Sequence, residues 1–415
     1  MKKAELLLPA GNIEKMQYAI AYGADAVYLG IVDFSLRSMK SGNVITLDNI
    51  KDAIHTAQGL GAKAYVTINI FARNKDIEKL PPLLEVLSDA KPDGIIFADA
   101  GFYPSLKKQV PDIPLHISTQ ANTLNYEAVK FWRDLGIERV ILARELSLKE
   151  IEEISSKVPD VELEVLVHGS LCVAYSGRCL LSDYMTNNTR KANQGNCSQP
   201  CRWKYKLVEE KRPGQYYDIN ETEGGSYILN PKDLALIKYI PDLINAGVSS
   251  FKVEGRTKSL YYASMVAKTY KKAIDAYYSG KSIDIEELYL ELFKVGNRDF
   301  TTGFVIDSPD NTHYNYETSK GKVGSTFLGV VTDKIEGNKY KILAKNKIKV
   351  GDNVEWVSPS HQTNTRISGI INSFGESVAV ADTNDIIYIT LDAESPELYP
   401  WGIIRSKEEI KCFSG

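Results

Sequence analysis

Four of the five cysteines of this chain lie within thirty residues of one another. These are Cys172, Cys179, Cys197 and Cys201, whereas Cys412 stands alone near the C-terminus. Thiolates are preferred ligands of zinc and of iron–sulfur clusters, so this concentration predicts a shared metal centre. The spacing differs from the close-paired knuckles of common structural zinc sites, and by itself it leaves zinc and iron–sulfur both open. Incidental buried thiols are the alternative interpretation.

A basic stretch with interleaved aromatic residues overlaps the cysteine segment. Residues 178–212 contain eight Lys/Arg and three Asp/Glu, a local excess of five positive charges in a chain whose formal net charge is −3. Such a patch can hold phosphates and stack bases, although a solvated basic loop has the same composition. The predicted RNA-binding residues are Arg202, Trp203, Lys204, Lys206 and Arg212.

Polar residues also follow several predicted strands and should converge at one end of the fold. The predicted substrate-binding residues are Gln120, Asn122, Arg144, Lys252 and Arg256. The three cations among them suit an anionic small molecule, because guanidinium groups bind carboxylates in a bidentate manner. The predicted catalytic residues are His168, Lys252 and Glu254. Two simpler interpretations stay open, a core role for His168 and an ion pair between Lys252 and Glu254.

The sequence lacks the motifs of common hydrolases and nucleotide-binding enzymes. It contains no Ser/His/Asp order, no HExxH pair and no P-loop. Hydrolysis therefore has no visible nucleophile or catalytic zinc site.

The elements that must position these residues follow a repeating pattern of apolar segments and amphipathic stretches. The predicted strands are Glu5–Leu8, Ala26–Leu29, Ala64–Ile68, Gly94–Ala98, Leu115–Ser118, Arg139–Leu142, Leu163–Val167 and Ser250–Val253. Repeated strand–helix units imply a parallel sheet that is buried on both faces. Eight such units without a dinucleotide glycine fingerprint predict an α/β fold of the (β/α)8 TIM-barrel type, with a doubly wound sheet as the alternative.

The spacing of these units divides the chain into two domains. The predicted (β/α)8-like catalytic domain spans residues 1–285, with the cysteines in an insertion at about 169–230. Such an insertion would lie at the C-terminal face of the barrel, where active sites of this fold occur. Residues 286–323 are predicted to form a linker, and short alternating strands in 324–415 predict a small antiparallel β-barrel.

The composition is that of an ordinary soluble globular protein. The 415 residues are 43% hydrophobic and 25% charged, with 50 Lys+Arg against 53 Asp+Glu. These values exclude a disordered chain and predict no global attraction to polyanions. The sequence shows neither a signal-peptide core nor a membrane span, so we expect a cytoplasmic protein with no membrane partner. Thiols stay reduced in that compartment, which favours metal binding over disulfides.

Several segments together resemble peptidase family U32, also called the collagenase-like proteases. The run HGSLCVAYSGRCLLSDY, followed by NQGNCSQPCRW, resembles the signature of the family. The opening ELLLPAGNIEKMQYAIAYGADAVYLG and the segment ISTQANTLNYEAVKFWRDLG are also similar to it. The resemblance covers essentially the whole chain, including the C-terminal β domain, and extends to the tRNA hydroxylation branch of the family.

That resemblance implies a tRNA-modifying enzyme that helps to form 5-hydroxyuridine at the wobble position. By the same resemblance, the hydroxyl source is prephenate or a similar anionic small molecule. The resemblance further implies a [4Fe-4S] cluster on the four clustered cysteines, of which Cys201 is the least securely matched. It implies tRNA as the macromolecular partner and is compatible with a partner subunit of the same family.

Two hypotheses from other classes stand beside this one. A U32-type, collagenase-like peptidase would release peptides from a protein substrate without tRNA or prephenate, but no protease mechanism maps onto residues of this chain. A non-catalytic RNA-binding protein would carry a structural zinc, and its metal analysis would show zinc without iron or sulfide.

Overall fold

The structure, a computed structural model, contains two closed barrels. It describes residues 3–36, 44–205, 207–208, 211, 216–217, 230–306, 313–315, 321–392 and 399–407. Cys412 lies outside the described residues. Within the described part of the chain, no helix combines the length and apolar character needed to span a membrane.

The first barrel is built from parallel strands. The strands up to residue 301 are β1 (Glu5–Ala10), β2 (Ala26–Gly30), β3 (Lys63–Ile68), β4 (Gly94–Phe97), β5 (Leu115–Ile117), β6 (Arg139–Ile141), β7 (Glu162–Ser170), β8 (Leu207–Val208), β9 (Tyr216–Tyr217), β10 (Asp233–Ala235), β11 (Ser250–Val253) and β12 (Phe300–Thr301). The sheet runs from β11 through β1 to β7, and β7 pairs in parallel with β11, which closes it. This closure confirms the predicted (β/α)8 barrel and excludes the doubly wound alternative, whose sheet has open edges.

Helices surround the barrel between its strands. They are α1 (Ile13–Ala21), α2 (Ile50–Gly59), α3 (Asn74–Glu78), α4 (Leu80–Ala90), α5 (Tyr103–Gln109), α6 (Tyr126–Asp134), α7 (Leu148–Lys157), α8 (Leu181–Met185), α9 (Ile240–Asn245), α10 (Leu260–Ser279) and α11 (Ile285–Phe293). The start of α7 is fixed by a capping box, in which the Ser147 hydroxyl accepts the Glu150 amide and the Glu150 carboxylate accepts the Ser147 amide. At the other end of the domain, Gly280 ends α10 with a φ of 64°, a conformation that favours glycine.

A network of charges occupies the barrel interior near the N-terminal ends of the strands. The Arg139 guanidinium donates to Glu5 at 2.7 Å and to Glu164 at 3.2 Å, and the Tyr65 hydroxyl donates to Glu5 at 2.8 Å. Burial would raise the pKa of Glu5, but the charge and hydrogen bonds of Arg139 outweigh it and lower that pKa. The Glu5 carboxylate is therefore held as an anion by Arg139, which reaches it across the barrel interior.

The chain between β7 and β11 and the chain after α10 add to this domain. Strand β10 runs antiparallel to β7, and β12 pairs with β10. Helix α11 places Leu288 and Leu292 in the same hydrophobic core as the barrel helices. The segment 286–323, predicted to be a linker, thus contributes packed elements to the first domain.

The C-terminal domain is a closed six-stranded barrel. Its strands are β13 (Phe327–Glu336), β14 (Lys339–Ala344), β15 (Ile348–Lys349), β16 (Asn353–Val357), β17 (Gln362–Ile371), β18 (Val380–Ala381), β19 (Ile386–Leu391) and β20 (Ile403–Ser406). The barrel order is β13, β14, β19, β17, β16 and β20, with antiparallel pairing, as predicted. Arg405 of β20 is fully buried against the first domain, where it contacts Glu291 at 2.5 Å and the Tyr261 hydroxyl at 3.2 Å.

Candidate functional site

A cavity of about 660 Å³ opens at the C-terminal ends of the barrel strands. Gln120, Arg144 and Cys172 line it, and they follow β5, β6 and β7 respectively. The other predicted residues in its wall are Cys179, Cys197, Cys201, Arg202, Lys252, Glu254 and Arg256. The fold therefore brings all four clustered cysteines and the three predicted anion-binding cations to one chamber.

The four cysteines are free thiols, carried by irregular chain between β7 and β10. Amide groups of the same segment approach two of the sulfurs. The Leu181 N–H donates to Cys179 Sγ at 3.4 Å, and the Gln199 N–H donates to Cys197 Sγ at 3.3 Å. Such amides stabilise negative charge on sulfur, which is the state that binds metals.

Burial and the neighbouring thiols both raise the pKa values of Cys179 and Cys201. Burial raises the pKa of Cys179, the Leu181 amide lowers it, and Cys172 and Cys197 raise it further. Burial likewise raises the pKa of Cys201. Four free thiols lining one cavity are a donor set of the type that binds zinc or an iron–sulfur cluster.

The cysteine segment is tied to the barrel by a carboxylate. Glu145, just after β6, accepts the Ser176 amide at 2.6 Å and the Ser176 hydroxyl at 2.7 Å. Ser176 adopts a left-handed conformation with a φ of 43°, which costs free energy and is held here by these two bonds. Further along, the Cys179 amide donates to Asn193 Oδ1 at 3.2 Å. The position of the thiols thus depends on Glu145, which the sequence places among the polar residues at the strand ends without a specific role, and on Asn193, which the sequence does not single out.

Lys252 is paired, but with a different partner from the one considered in the sequence. Its ammonium group lies 2.8 Å from Oε1 of the fully buried Glu164, one strand away. It also lies 4.7 Å above the Tyr28 ring. Glu254 instead accepts the Gly255 amide at 3.1 Å. Lys252 therefore forms its ion pair with Glu164 in the barrel interior and not with Glu254.

The Arg256 side chain packs tightly beside Gly30, at the C-terminal end of β2. Its guanidinium donates to the Ser35 hydroxyl at 2.5 Å and lies 5.7 Å from the Tyr28 ring centre. The space it occupies exists because residue 30 is glycine, since a Cβ there would lie 1.5 Å from the guanidinium. Arg256 is thus held rigidly in the cavity wall with little freedom to reorient.

Arg144 differs from the other two cations. Within the part of the chain that the structure describes, its guanidinium has no hydrogen bond and no ion pair. It also borders a smaller, mostly apolar cavity of about 110 Å³ next to the main one. Of the three predicted anion-binding cations, Arg144 is therefore the one whose side chain makes no hydrogen bond or ion pair with the described protein groups.

His168 requires a correction, because it is not a wall residue of the cavity. It is 1% exposed and surrounded by Tyr262, Tyr270 and Phe300, with ring centres 5.4–5.8 Å away. Burial lowers its pKa to about 3, and the charge of Lys258 lowers it as well. The ring is a neutral packing element, and the core interpretation of this histidine is the one the geometry supports.

Only one of the two predicted substrate-binding amides, Gln120 and Asn122, lies in the cavity wall. Gln120 lines the cavity, whereas Asn122 stays outside its wall. Asn122 adopts a left-handed φ of 55° after the 3₁₀ turn Thr119–Ala121 and serves as its C-terminal cap. Its position is explained by local turn geometry, which asparagine tolerates better than most residues.

The predicted RNA-binding residues separate into three groups. Trp203 and Lys204 are exposed next to the cavity. Arg202 turns inward and donates to the Leu171 carbonyl at 3.2 Å, so its assignment to the RNA surface is corrected. Lys206 and Arg212 lie outside the described residues.

Sequence reasoning missed the exposed Leu180, whereas Tyr184 belongs to the aromatic residues interleaved with the basic stretch. Tyr184 is 85% exposed and Leu180 is 68% exposed, both at or next to α8. It also missed Glu164, whose charge inside an otherwise apolar strand segment is itself a signal of an internal ion pair.

Comparison with known proteins places this architecture in a family. The sequence pattern of "Peptidase family U32" matches residues 11–315, and that of "Peptidase family U32 C-terminal domain" matches residues 324–405. The two matches correspond to the two barrels of the structure. Their boundary lies within the segment that was predicted to be a linker.

Curated relatives are similar over most of their length. The chain is 39% identical to "tRNA hydroxylation protein P" of Escherichia coli, covering 92% of each chain. It is 38% identical to "tRNA hydroxylation protein P1" of Bacillus subtilis, covering 97% of this chain and 95% of the relative. It is also 33% identical to a "Collagenase" of Porphyromonas gingivalis, covering 73% of each. With both barrels matched and the thiol-lined cavity formed where the signature segment lies, the chain belongs to peptidase family U32.

Proposed function

We propose that this protein is an RNA-hydroxylating enzyme that forms 5-hydroxyuridine at the wobble position of tRNA, with prephenate as the hydroxyl source. The observation that carries the proposal is the meeting of four free thiols and three cations in one cavity of about 660 Å³. The names of the Escherichia coli and Bacillus subtilis relatives support tRNA hydroxylation as the reaction. The proposal locates the protein in the cytoplasm, together with tRNA and a possible partner subunit of the same family.

The proposed cofactor is a [4Fe-4S] cluster on Cys172, Cys179, Cys197 and Cys201. No three His, Cys, Asp or Glu side chains of the described residues converge closely enough to hold one metal ion. The proposal of a cluster rests on the resemblance of the cysteine segment to the family signature and on the four thiols lining one cavity, with a structural zinc as the alternative. When bound, such a cluster supplies electron transfer and, where an iron has an open position, a Lewis acid.

The cations of the cavity wall would bind the carboxylates of prephenate. Lys252 and Arg256 are oriented by Glu164 and Ser35, so they present fixed positive charges. Arg144 has no partner among the described residues, so a carboxylate of the ligand would complete its pairing. An anion held between fixed cations in a partly enclosed chamber loses little binding free energy to protein reorganisation.

The exposed face of the cysteine segment would present the anticodon loop to the cavity. Lys204 supplies positive charge for phosphates, and Trp203 and Tyr184 supply exposed rings on which unpaired bases can stack. Stacking suits this partner, because RNA is recognised mostly through single-stranded loops with splayed bases. In this proposal the cavity cations bind the small anion and the exposed face of the cysteine segment binds the RNA.

Anaerobic purification followed by iron, sulfide and zinc analysis tests the cofactor. We expect iron and sulfide in the purified protein, and their loss in a Cys172→Ala/Cys179→Ala double variant. Cys412→Ala is the matched control and should keep both. Full iron content in the double variant would contradict the ligand assignment, and zinc without iron or sulfide would favour the structural zinc protein.

Deletion of the gene tests the reaction. Wobble 5-hydroxyuridine derivatives should fall in tRNA from cells grown without oxygen, where an oxygen-dependent route cannot compensate. An undiminished level of the modification would show that the protein does not perform this hydroxylation. The peptidase hypothesis predicts instead that the pure protein releases peptides from a protein substrate without tRNA or prephenate.

A further inference from the structure

Among the predicted RNA-binding residues that the structure describes, Arg202 is the one that turns toward the thiols. It follows Cys201 directly, lies in the 3₁₀ turn Pro200–Arg202, and lines the same cavity as the four cysteines. Its Nη2 donates to the Leu171 carbonyl at 3.2 Å, and Leu171 directly precedes Cys172. The guanidinium therefore joins the first and last parts of the cysteine segment.

The Arg202 guanidinium is only partly paired within the described protein. Nη1 of Arg202 is buried and makes no hydrogen bond. A buried donor without an acceptor is unfavourable, so a nitrogen held in this state inside a cavity wall points to a negative group that the protein itself does not provide. The guanidinium also acts on the thiol of the adjacent Cys201 through its charge and a side-chain hydrogen bond.

We infer that Arg202 is the electrostatic partner of the four-thiol site and sets the reduction potential of the cluster bound there. The inference rests on the proposed [4Fe-4S] cofactor. Amide groups already approach Cys179 and Cys197, and Arg202 supplies a full positive charge on the side of Cys201. Charge and hydrogen bonds near the sulfurs are among the main determinants of cluster potential.

The sign of the effect follows from charge. One-electron reduction makes the cluster and its thiolates more negative by one charge, and a fixed cation in the cavity wall stabilises that state. Removing the cation therefore shifts the reduction potential to a more negative value. Arg202 should affect the potential more than an exposed cation does, because charges in a partly buried site are screened less than charges on the surface.

The experiment compares Arg202→Gln, Arg202→Lys and Lys204→Gln in the full chain, purified without oxygen. Iron and sulfide are measured first, and the potential is then obtained by redox titration of the visible and electron-paramagnetic-resonance signals. We expect a more negative potential in Arg202→Gln and a value close to wild type in Arg202→Lys. Lys204→Gln removes the same charge from an exposed position two residues away and should leave the potential unchanged.

Three results would overturn the inference. The first is a wild-type potential in Arg202→Gln with full iron content. The second is an equal shift in Lys204→Gln, which would reflect overall charge. The third is loss of iron in both Arg202 variants, which would assign the residue to folding of the segment. Loss of iron in Arg202→Gln alone supports the need for the charge, and a wild-type protein without iron would refute the proposed cofactor instead.

Discussion

Replacement of Gly30 by alanine tests the arrangement of the cavity mouth most directly. A Cβ at residue 30 would lie 1.5 Å from Nη1 of Arg256 and 2.7 Å from the Ser35 hydroxyl. The glycine does not use a left-handed φ, so the backbone itself accepts alanine. The added methyl group must therefore displace the guanidinium of Arg256, and the backbone need not change.

The expected cost follows from the contacts that are lost. Displacement breaks the 2.5 Å hydrogen bond from Arg256 to Ser35, and a bond with a charged partner contributes about 1.5–3 kcal/mol. The free energy of unfolding should fall by about that amount. Since Arg256 is proposed to bind a carboxylate, prephenate binding should weaken by about 2–5 kcal/mol, which is at least about 30-fold in the dissociation constant.

Urea unfolding and calorimetric titration with prephenate measure the two effects. Gly59→Ala is the control, because a Cβ at the end of α2 meets no atom within 4 Å. The same Gly30→Ala change in an Arg256→Ala background should cost little stability, with a coupling free energy of about 0.5–3 kcal/mol between the two sites. An equal cost in both backgrounds would refute the steric argument, and unchanged prephenate affinity would remove Arg256 from the anion site.

Three further predictions concern Arg144, His168 and the exposed face of the cysteine segment. Arg144→Ala should weaken prephenate binding by about 2–5 kcal/mol without loss of iron, and calorimetry that finds wild-type affinity would place the anion elsewhere. The pKa of His168 is about 3 in the folded protein, which is below its value in the unfolded chain. The contribution of His168 to the free energy of unfolding is therefore complete above about pH 6.5. That contribution is lost as the pH falls toward 3, by about 1.4 kcal/mol per pH unit. Urea unfolding from pH 7 to pH 4 should therefore show a shallower pH dependence in His168→Asn, and an identical slope would contradict the neutral core assignment. Trp203→Ala should weaken tRNA binding by about 1–3 kcal/mol with an unchanged salt dependence, whereas Lys204→Gln should flatten that dependence by roughly 0.7–0.9. Salt titrations in which the two variants behave alike would contradict the separate roles.

The sequence predicts the fold well because its pattern is periodic. All eight predicted barrel strands are present, with ends displaced by no more than three residues. The burial of parallel strands on both faces makes most residues of each strand apolar, and the local sequence pattern reveals this. The four cysteines and the cations at strand ends were predicted to lie near one another for the same reason, since parallel strands end at one face of a barrel.

Side-chain direction and partner choice could not be predicted in this way. His168 lies on β7 and Lys252 on β11, and both were assigned to the mouth. In the folded barrel, Lys252 forms an ion pair with Glu164 of the adjacent strand β7. His168 instead packs among aromatic rings from α10 and β12. Such outcomes depend on which residues face each other across elements that are distant in sequence.

The pairing of Lys252 with Glu164 also explains how the barrel tolerates charge in its interior. A single buried carboxylate would be strongly destabilising, but Glu164 is shared between Arg139 at 3.2 Å and Lys252 at 2.8 Å. Arg139 binds Glu5 as well, so the chain of charges runs from the N-terminal ends of the strands to the cavity wall. A lysine held by this chain cannot swing away from the cavity without leaving Glu164 partly unpaired. The buried network therefore fixes the position of a cation that the sequence identifies only as a residue near a strand end.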